Sequence, residues 1–365
     1  MKKFLFIFIL IPFLPMTSVH ASTPVVRVVD VPHTNFDGTF RDNLLAEELL
    51  PTGKLGKLIY TPRQTVTWVV DASLLDEIID MSDGYTFNGE DGGVGVTNAS
   101  AWLNQLRAVT QGDPIVALPY GNPDSSLLKK LESKELAYYS QNAQLKLEEF
   151  FGRPVISQNG WGSGKSRLSD AFQAFYSDNR DLVAGLDLIN GDEEISSLRL
   201  KLGRVLNPLL DSDERTYFSN LSNKAVREMS SKLQVVSGRY QLTSQTVKVP
   251  VTLINEFDSA TVINVSLIPM NARVQVQNIS NVEIPPHSRI QLSVPFTVIA
   301  PGSTVVVAQL MTPQGELIGE QARLNLSLTV IDSRVAWFTT AAGIALFAGA
   351  IAQSVRRFRR SRREE

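Results

Sequence analysis

The sequence contains no cysteine and only three histidines among its 365 residues. Without cysteine no disulfide can form, so any domain outside the cytoplasm must be stable through burial of apolar surface alone. Such a composition is more typical of a bacterial envelope than of an animal cell surface, where extracellular domains of this size usually carry disulfides. Hydrophobic residues make up 43% of the chain and charged residues 20%, so the chain can build a packed core.

The scarcity of histidine limits metal and nucleophilic chemistry. His20 lies in the N-terminal apolar segment and His287 in a β-rich region, which leaves only His33 in the central region. A zinc site built on several histidines is therefore excluded, and a Ser-His-Asp arrangement would depend on His33 alone. A site in which carboxylates hold a magnesium or calcium ion is still compatible with the sequence, but the spacing of the acidic residues identifies no such site. We expect no metal and no cofactor.

The N-terminus has the pattern of a secretory signal peptide. Two lysines precede an apolar run from Phe4 to Met16. The segment Val19-His20-Ala21 then offers small or tolerated residues where a signal peptidase would cut. A first transmembrane anchor is the alternative, but the run is short and two prolines interrupt it. The sequence therefore predicts a signal peptide over residues 1–21 and a mature N-terminus outside the cell.

A second apolar segment lies near the C-terminus. Val335 to Val355 contains no charge and is long enough for a helix to cross a bilayer, which takes about 20 apolar residues. Six arginines follow it: Arg356, Arg357, Arg359, Arg360, Arg362 and Arg363. Positive charge marks the cytoplasmic side of a membrane span. We expect a transmembrane helix over 335–355, a basic cytoplasmic tail over 356–365 and a single-pass plasma-membrane protein.

The region between the two ends is acidic. Eight of the 35 basic residues lie in the signal peptide or the tail, which leaves a net charge of about −8 between Ser22 and Arg334. A field of this sign repels polyanions, so nucleic acid is excluded as a partner through electrostatics. The expected partners are the plasma membrane and a cell-wall glycan or a membrane protein of cell-wall assembly.

Residues 22–243 alternate short apolar runs with amphipathic stretches, the pattern of βα units. Thr65 to Val70 and Pro114 to Tyr120 are continuously apolar, as in strands of a parallel sheet covered on both faces. Another apolar run, Leu182 to Ile189, is read as a further strand. About 220 residues fall below the typical ~250 of a complete eightfold barrel. The prediction is therefore an α/β fold, a distorted or incomplete TIM-barrel-like domain.

Residues 244–332 contain six or seven short alternating runs separated by turn residues. Alternation with a period of two predicts half-buried strands. So many strands in under 90 residues indicate an immunoglobulin-like β-sandwich, placed between the α/β domain and the C-terminal helix.

Candidate site residues follow the predicted strands, because ligands of parallel α/β sheets gather at the carboxyl ends of the strands. The catalytic candidates are Asp71, Asp124 and Asp187, and the ligand-binding candidates are Tyr120, Asn122, Asn159 and Trp161. Paired carboxylates and an exposed tryptophan are the groups that a glycan site uses. For Asp71 and Asp124, which each precede a helix, helix capping is the alternative role.

Several segments carry a family resemblance. TVTWVVDASLLDEI, AWLNQL, ALPYGNPDSSLL and QLMTPQGELIGE resemble an uncharacterised family of actinobacterial envelope proteins. The resemblance implies a signal peptide, a large external region, an immunoglobulin-like module and one C-terminal span. Genes of that family often lie near one for a lipid II flippase, which implies cell-wall assembly by association.

Together these features predict a membrane-anchored, extracytoplasmic protein of the bacterial envelope that binds a glycan or a partner during cell-wall assembly. The alternative is a carbohydrate-active hydrolase that uses the strand-end carboxylates. Whether the chain is an enzyme stays open at this point.

Overall fold

The computed structural model describes residues 23–87, 89–158, 160–329 and 333–361. The predicted signal peptide, Asn159, Arg362 and Arg363 lie outside the described residues.

The described part runs from short strands and helices into a β-rich region and a final helix. The strands are β1 (Val25–Val28), β2 (Thr67–Asp71), β3 (Thr86–Phe87), β4 (Glu90–Asp91), β5 (Ile115–Leu118), β6 (Ile156–Ser157), β7 (Leu233–Val235), β8 (Gly238–Leu242), β9 (Thr246–Asn255), β10 (Thr261–Pro269), β11 (Val274–Val276), β12 (Ile279–Ile284), β13 (Ser288–Val298), β14 (Gly302–Met311) and β15 (Leu317–Leu328). The helices are α1 (Leu44–Glu48), α2 (Lys54–Tyr60), α3 (Ala72–Ser82), α4 (Gly93–Val109), α5 (Ser125–Leu131), α6 (Ser133–Phe151), α7 (Asp170–Ile189), α8 (Glu193–Lys201), α9 (Ser212–Ser231) and α10 (Ser333–Ser361), with a 3₁₀ helix (Leu202–Leu206) before α9.

The first sheet is parallel, with strand order β1-β2-β5-β6. Its two middle strands, TWVVD and IVAL, are apolar at nearly every position, because both faces of the sheet are covered. One face places Trp68, Val70 and Ile115 in the main core under the helices. The opposite face forms a small cluster of Val69, Val116 and Leu118.

The prediction of a distorted or incomplete TIM-barrel-like domain was wrong. The parallel sheet is open, since its edge strands β1 and β6 are separated by β2 and β5 and pair with one strand each among the described residues. Closing a barrel takes a continuous ring of tilted strands. Four strands of two to five residues do not provide one.

One predicted strand is a helix. Leu182 to Ile189 forms the C-terminal part of the 20-residue helix α7. Val183 and Leu186 are buried three residues apart, which places both on one face of a helix. An apolar run of eight residues cannot by itself be assigned to a strand or a helix. Here helical packing against α9 and β15 decides the outcome.

The β-rich region consists of two packed sheets. One has the order β12-β10-β14-β15-β8 and the other β11-β13-β9-β7. Neighbouring strands are antiparallel except β15 and β8. Alternate residues of each strand, such as Val249, Val251 and Leu253 of β9, are buried between the sheets. The period-two pattern thus produces one shared core.

The two regions share a continuous core. Helices α7 and α9 pack on β15, and Gly185 of α7 lies against the backbone of Leu317. Asn190 at the end of α7 accepts a hydrogen bond from Ser259 and donates to Thr261. Strands β7 and β8 precede residue 244 and pair within the sandwich sheets. The predicted domain limits stay a prediction.

The prediction of a transmembrane helix over 335–355 was wrong, and so was the single-pass plasma-membrane localisation that depended on it. A span requires about 20 predominantly apolar residues in one helix. Within the described ranges, α10 included, no helix combines that length with that hydropathy. The assignment of Arg356, Arg357, Arg359 and Arg360 as determinants of membrane topology rested on this span.

Candidate functional site

Asp71 ends strand β2 at the carboxyl edge of the parallel sheet. Its Oδ1 atom accepts hydrogen bonds from the backbone N–H of Ser73, at 2.9 Å, and of Gly121, at 3.0 Å. The first bond caps helix α3, and the second joins the end of β2 to the loop after β5. Asp71 therefore acts as a helix cap, which the sequence analysis gave as the alternative to a catalytic role.

Burial raises the pKa of the Asp71 carboxyl to about 7, although the two N–H donors and the nearby Arg204 act in the opposite direction. A carboxyl group removed from water favours its neutral form. Asp71 is 2% exposed, so its carboxyl is enclosed by the fold.

Asp124 caps helix α5. Its Oδ1 accepts from the backbone N–H groups of Ser126 and Leu127 and from the Ser126 hydroxyl, while Oδ2 accepts from the N–H of Ser166 at 2.9 Å. Burial alone would raise its pKa, but these hydrogen bonds outweigh burial and lower it. Asp124 is thus an ionised cap that also fastens the loop containing Ser166.

Tyr120 is buried beside Asp71. Its hydroxyl donates to Asp76 of α3 at 2.9 Å, and its ring lies 6.0 Å from the guanidinium of Arg204. Burial raises the pKa of the tyrosine far above its ordinary value. Tyr120 therefore stays neutral and links the strand end to α3.

Asn122 adopts a left-handed backbone conformation, with φ of 50°, in the turn after β5. Its side chain accepts a hydrogen bond from Ser163 at 2.9 Å and is 1% exposed. Asparagine is one of the few residues that tolerate this conformation. Like Asp124, it holds the loop after β6 against the loop after β5.

Trp161 belongs to that loop after β6. It is partly exposed and packs on the cluster of Val69, Val116 and Leu118. Arg27 of β1 donates to its backbone carbonyl at 2.5 Å. The neighbouring candidate Asn159 lies outside the described residues.

Asp187 is remote from the other candidates. It lies on α7, where it accepts from Ser196 at 2.7 Å and from Arg199 at 2.8 Å. Arg199 also bonds to the buried Glu135. The structure brings Asp71, Tyr120, Asn122, Asp124 and Trp161 to one edge of the sheet and assigns Asp187 to a separate ion-pair network.

A cavity of about 510 Å³ lies at this edge, between α5, α6 and the loop that contains Trp161. Its lining residues are Ala117, Leu118, Pro119, Ser125, Ser126, Lys129, Ser133, Leu136, Ala137, Ser140, Ser157, Gln158, Gly160, Trp161 and Gly162. Five of these are serines, and Lys129 is the only one that carries a charge. Neither Asp nor Glu occurs among the described lining residues. The cavity thus offers hydroxyl and amide groups and one indole ring, without an acid–base pair.

The sequence analysis did not identify a buried ion pair that lies next to this edge of the sheet. Glu77 of α3 and Arg204 of the 3₁₀ helix form an ion pair, to which Thr34 and Ser73 add hydrogen bonds. The available signal was a glutamate on the apolar face of α3, between Leu74 and Ile78. A partner 127 positions away in the chain could not be read from that pattern.

The fold and site define a class of protein: an α/β region with an open parallel sheet, joined to a two-sheet β-sandwich, with a polar cavity at the carboxyl edge of the parallel sheet. The chain belongs to the family of unknown function (DUF6049), whose sequence model matches residues 166–363, more than half of the chain. The expected membership in an uncharacterised family is thus confirmed. The match does not bear on an actinobacterial origin or a signal peptide, and it lies C-terminal to the parallel sheet.

No curated protein matches the chain. Among solved structures, the MSP family member WR4 of C. elegans is 12% identical and aligns with 27% of this chain and 97% of its own, with a TM-score of 0.21. A PapD-like domain of human CEP192 is 13% identical over 28% of this chain and 86% of its own, with a TM-score of 0.21. The E. coli chaperone DraB is 10% identical and aligns with 26% of this chain and 54% of its own, with a TM-score of 0.19. Similarities this low carry no argument about function.

Proposed function

We propose that this chain binds a glycan, without cleaving it, in the cavity beside Trp161. The observation that carries the proposal is the lining of that cavity: an indole ring and several hydroxyl and amide groups, with no carboxylate among the described residues. A sugar presents an apolar face to an aromatic ring and hydroxyl groups to polar side chains. The cavity volume lies in the range of small-molecule sites.

The positions of the polar groups support this proposal. Ser125, Ser126 and Lys129 line the cavity from α5, and Ser133 and Ser140 line it from α6. Trp161 and Gln158 come from the loop after β6. Because these groups surround the space from three elements, a bound sugar ring would meet hydrogen-bonding partners along its edge.

A hydrolase is the second candidate, favoured by the raised pKa of Asp71, since a protonated carboxyl near neutral pH is what a general acid requires. Two observations weigh against it. Asp71 is buried and does not line the cavity, and glycoside hydrolysis takes two carboxyl groups facing the bond that is cleaved. We therefore propose binding rather than turnover.

We further propose that the glycan is that of a bacterial cell wall. This choice rests on the resemblance to envelope proteins and on the cysteine-free composition. The net negative charge of residues 22–334 disfavours a polyanionic polymer as the ligand, but not a short sugar whose single carboxylate can meet Lys129 in the cavity.

The test is a calorimetric titration of the full chain with oligosaccharides of N-acetylglucosamine and N-acetylmuramic acid. Trp161→Ala should weaken binding at least about tenfold, and Trp161→Phe should recover part of the loss, because phenylalanine keeps an aromatic face. Lys129→Ala should weaken binding, whereas Lys130→Ala, on the next position of α5 and outside the cavity lining, should not.

The same samples should be assayed for new reducing ends. No turnover is expected. Turnover that disappears in Asp71→Asn would instead support the hydrolase. Absence of glycan binding together with co-purification of a membrane protein would support a partner-binding role and contradict the proposal.

A further inference from the structure

A second group of polar side chains lies outside the Trp161 cavity, next to strand β1. Asp30 and His33 belong to the segment that follows β1, and Glu48 is the last residue of α1. One ligand atom from each of the three lies within 4.8 Å of the others. Asp30 and His33 are buried, and Glu48 is half-buried.

The three side chains share an unusual feature. Oδ2 of Asp30, Nε2 of His33 and Oε2 of Glu48 are shielded from solvent, and among the described residues none of them has a hydrogen-bond partner other than the facing carboxyl group of the Asp30–Glu48 pair. A buried polar atom without a partner costs on the order of 1 to 3 kcal/mol. Because one ligand atom from each of these side chains lies in one small volume, the three require a common explanation.

The other polar side-chain atoms of Asp30 and His33 are already engaged. Nδ1 of His33 lies 2.9 Å from Asp42, and Oδ1 of Asp30 accepts from Lys54 at 2.6 Å and from the Val31 N–H at 2.8 Å. A histidine that donates its Nδ1 proton to a carboxylate presents the lone pair of Nε2 on the other side of the ring. Metal-binding histidines are oriented in this way, with a carboxylate behind them.

We propose that Asp30, His33 and Glu48 bind a divalent first-row metal cation, of the class of zinc or manganese, through these three atoms. Imidazole and carboxylate together are a common ligand set for such ions. Ligands of a tetrahedral zinc ion lie about 3.4 Å apart, so atoms within 4.8 Å of one another need only small side-chain adjustments.

The charges around the group fit a dication. Two carboxylates crowded in a poorly hydrated space repel each other, and a cation of charge +2 neutralises both. Lys54 and Asp42, which contact Asp30 and His33, balance one another. A bound ion would tie the segment after β1 to helix α1, which gives the site a structural role that is independent of the glycan cavity.

The test is titration of the metal-depleted full chain with zinc chloride and, separately, with manganese chloride, monitored by calorimetry and by the melting temperature. One equivalent of metal should bind and raise the melting temperature. Asp30→Asn and Glu48→Gln, which change shape very little, should each weaken binding at least tenfold. Glu47→Gln, an exposed neighbour on α1, is the matched control and should bind like the unchanged chain.

The alternative is a proton shared between the two carboxyl groups. In that case neither metal binds, and the melting temperature of the unchanged chain does not rise when metal is added. Equal metal affinity in Glu48→Gln and the unchanged chain would also overturn the proposal. Melting curves of all variants in chelator establish that each is folded.

Discussion

The guanidinium of Arg204 lies 3.0 Å from the carboxylate of Glu77, and both side chains are almost entirely buried. Arg204 also donates to Ser73 and Thr34, while Glu77 accepts from the backbone N–H of His33. The pair therefore joins helix α3, the 3₁₀ helix and the segment after β1 under the carboxyl edge of the sheet.

Removal of one member of this pair should destabilise the fold strongly. Glu77→Gln leaves the Arg204 charge buried without compensation, and we expect a loss of about 3 to 5 kcal/mol in the free energy of unfolding. The double change Glu77→Leu with Arg204→Met removes both charges and should cost less than the sum of the single changes Glu77→Leu and Arg204→Met. Denaturant unfolding of these two single variants and the double variant measures this coupling, and additive losses would contradict it.

The stability should depend on pH through Asp71. Its pKa is raised to about 7 in the folded chain from an ordinary value of 3.8, so the folded state binds more protons than the unfolded state between these values. The contribution of Asp71 is thus greatest below about pH 4 and is lost as the pH rises towards 7. The free energy of unfolding of the unchanged chain, relative to Asp71→Asn, should fall over this window.

Asp124 provides the control with the opposite sign. Its pKa is lowered in the folded chain, so its contribution is present above about pH 4 and is lost as the pH falls below that value. The free energy of unfolding of Asp124→Asn, relative to the unchanged chain, should therefore change with pH only below about pH 4. A relative stability of Asp71→Asn that does not change between pH 4 and 7 would show that Asp71 is not held in a buried, neutral form.

The sequence predicted the grouping of the strand-end residues and, as the alternative role of Asp71 and Asp124, the capping of a helix. Continuous apolarity identified β2 and β5, and the rule for parallel sheets then placed Asp71, Tyr120, Asn122 and Asp124 at one edge, where the structure has them. Asp187 was misplaced because a buried helix and a buried strand present the same short apolar run.

The open sheet and the Arg204–Glu77 pair could not be predicted for a different reason. Both depend on contacts between segments far apart in the chain, which local periodicity does not encode. The same applies to the Trp161 cavity, which is lined by residues of α5, α6 and a loop.

Capping by Asp124 can be measured directly. Asp124→Ala removes the acceptor for two N–H groups of α5 and for the N–H of Ser166, so we expect a loss of about 1 to 2 kcal/mol in the free energy of unfolding. Asp192→Ala is the matched control, because among the described residues the Asp192 side chain caps α8 by accepting one hydrogen bond, from the backbone N–H of Glu194. An equal loss in the two variants would contradict the additional role of Asp124 in holding the loop.

Gly121 is required by close packing as well as by backbone conformation. Its φ is 80°, and a Cβ atom there would lie 2.7 Å from the backbone nitrogen of Arg204. Gly112 has nearly the same φ, 82°, but open space around it. Gly112→Ala should cost about 1 to 2 kcal/mol from backbone strain alone. Gly121→Ala should cost clearly more, measured by denaturant unfolding, and equal costs would rule out the close approach.

The most direct test of the proposed function is a crystal structure of the chain soaked with a disaccharide of N-acetylglucosamine and N-acetylmuramic acid. We expect an intact disaccharide in the cavity, with a sugar ring in contact with the indole of Trp161 and hydroxyl groups within hydrogen-bond distance of the serines of α5 and α6. A disaccharide bound elsewhere, or a cleaved one beside Asp71, would contradict it.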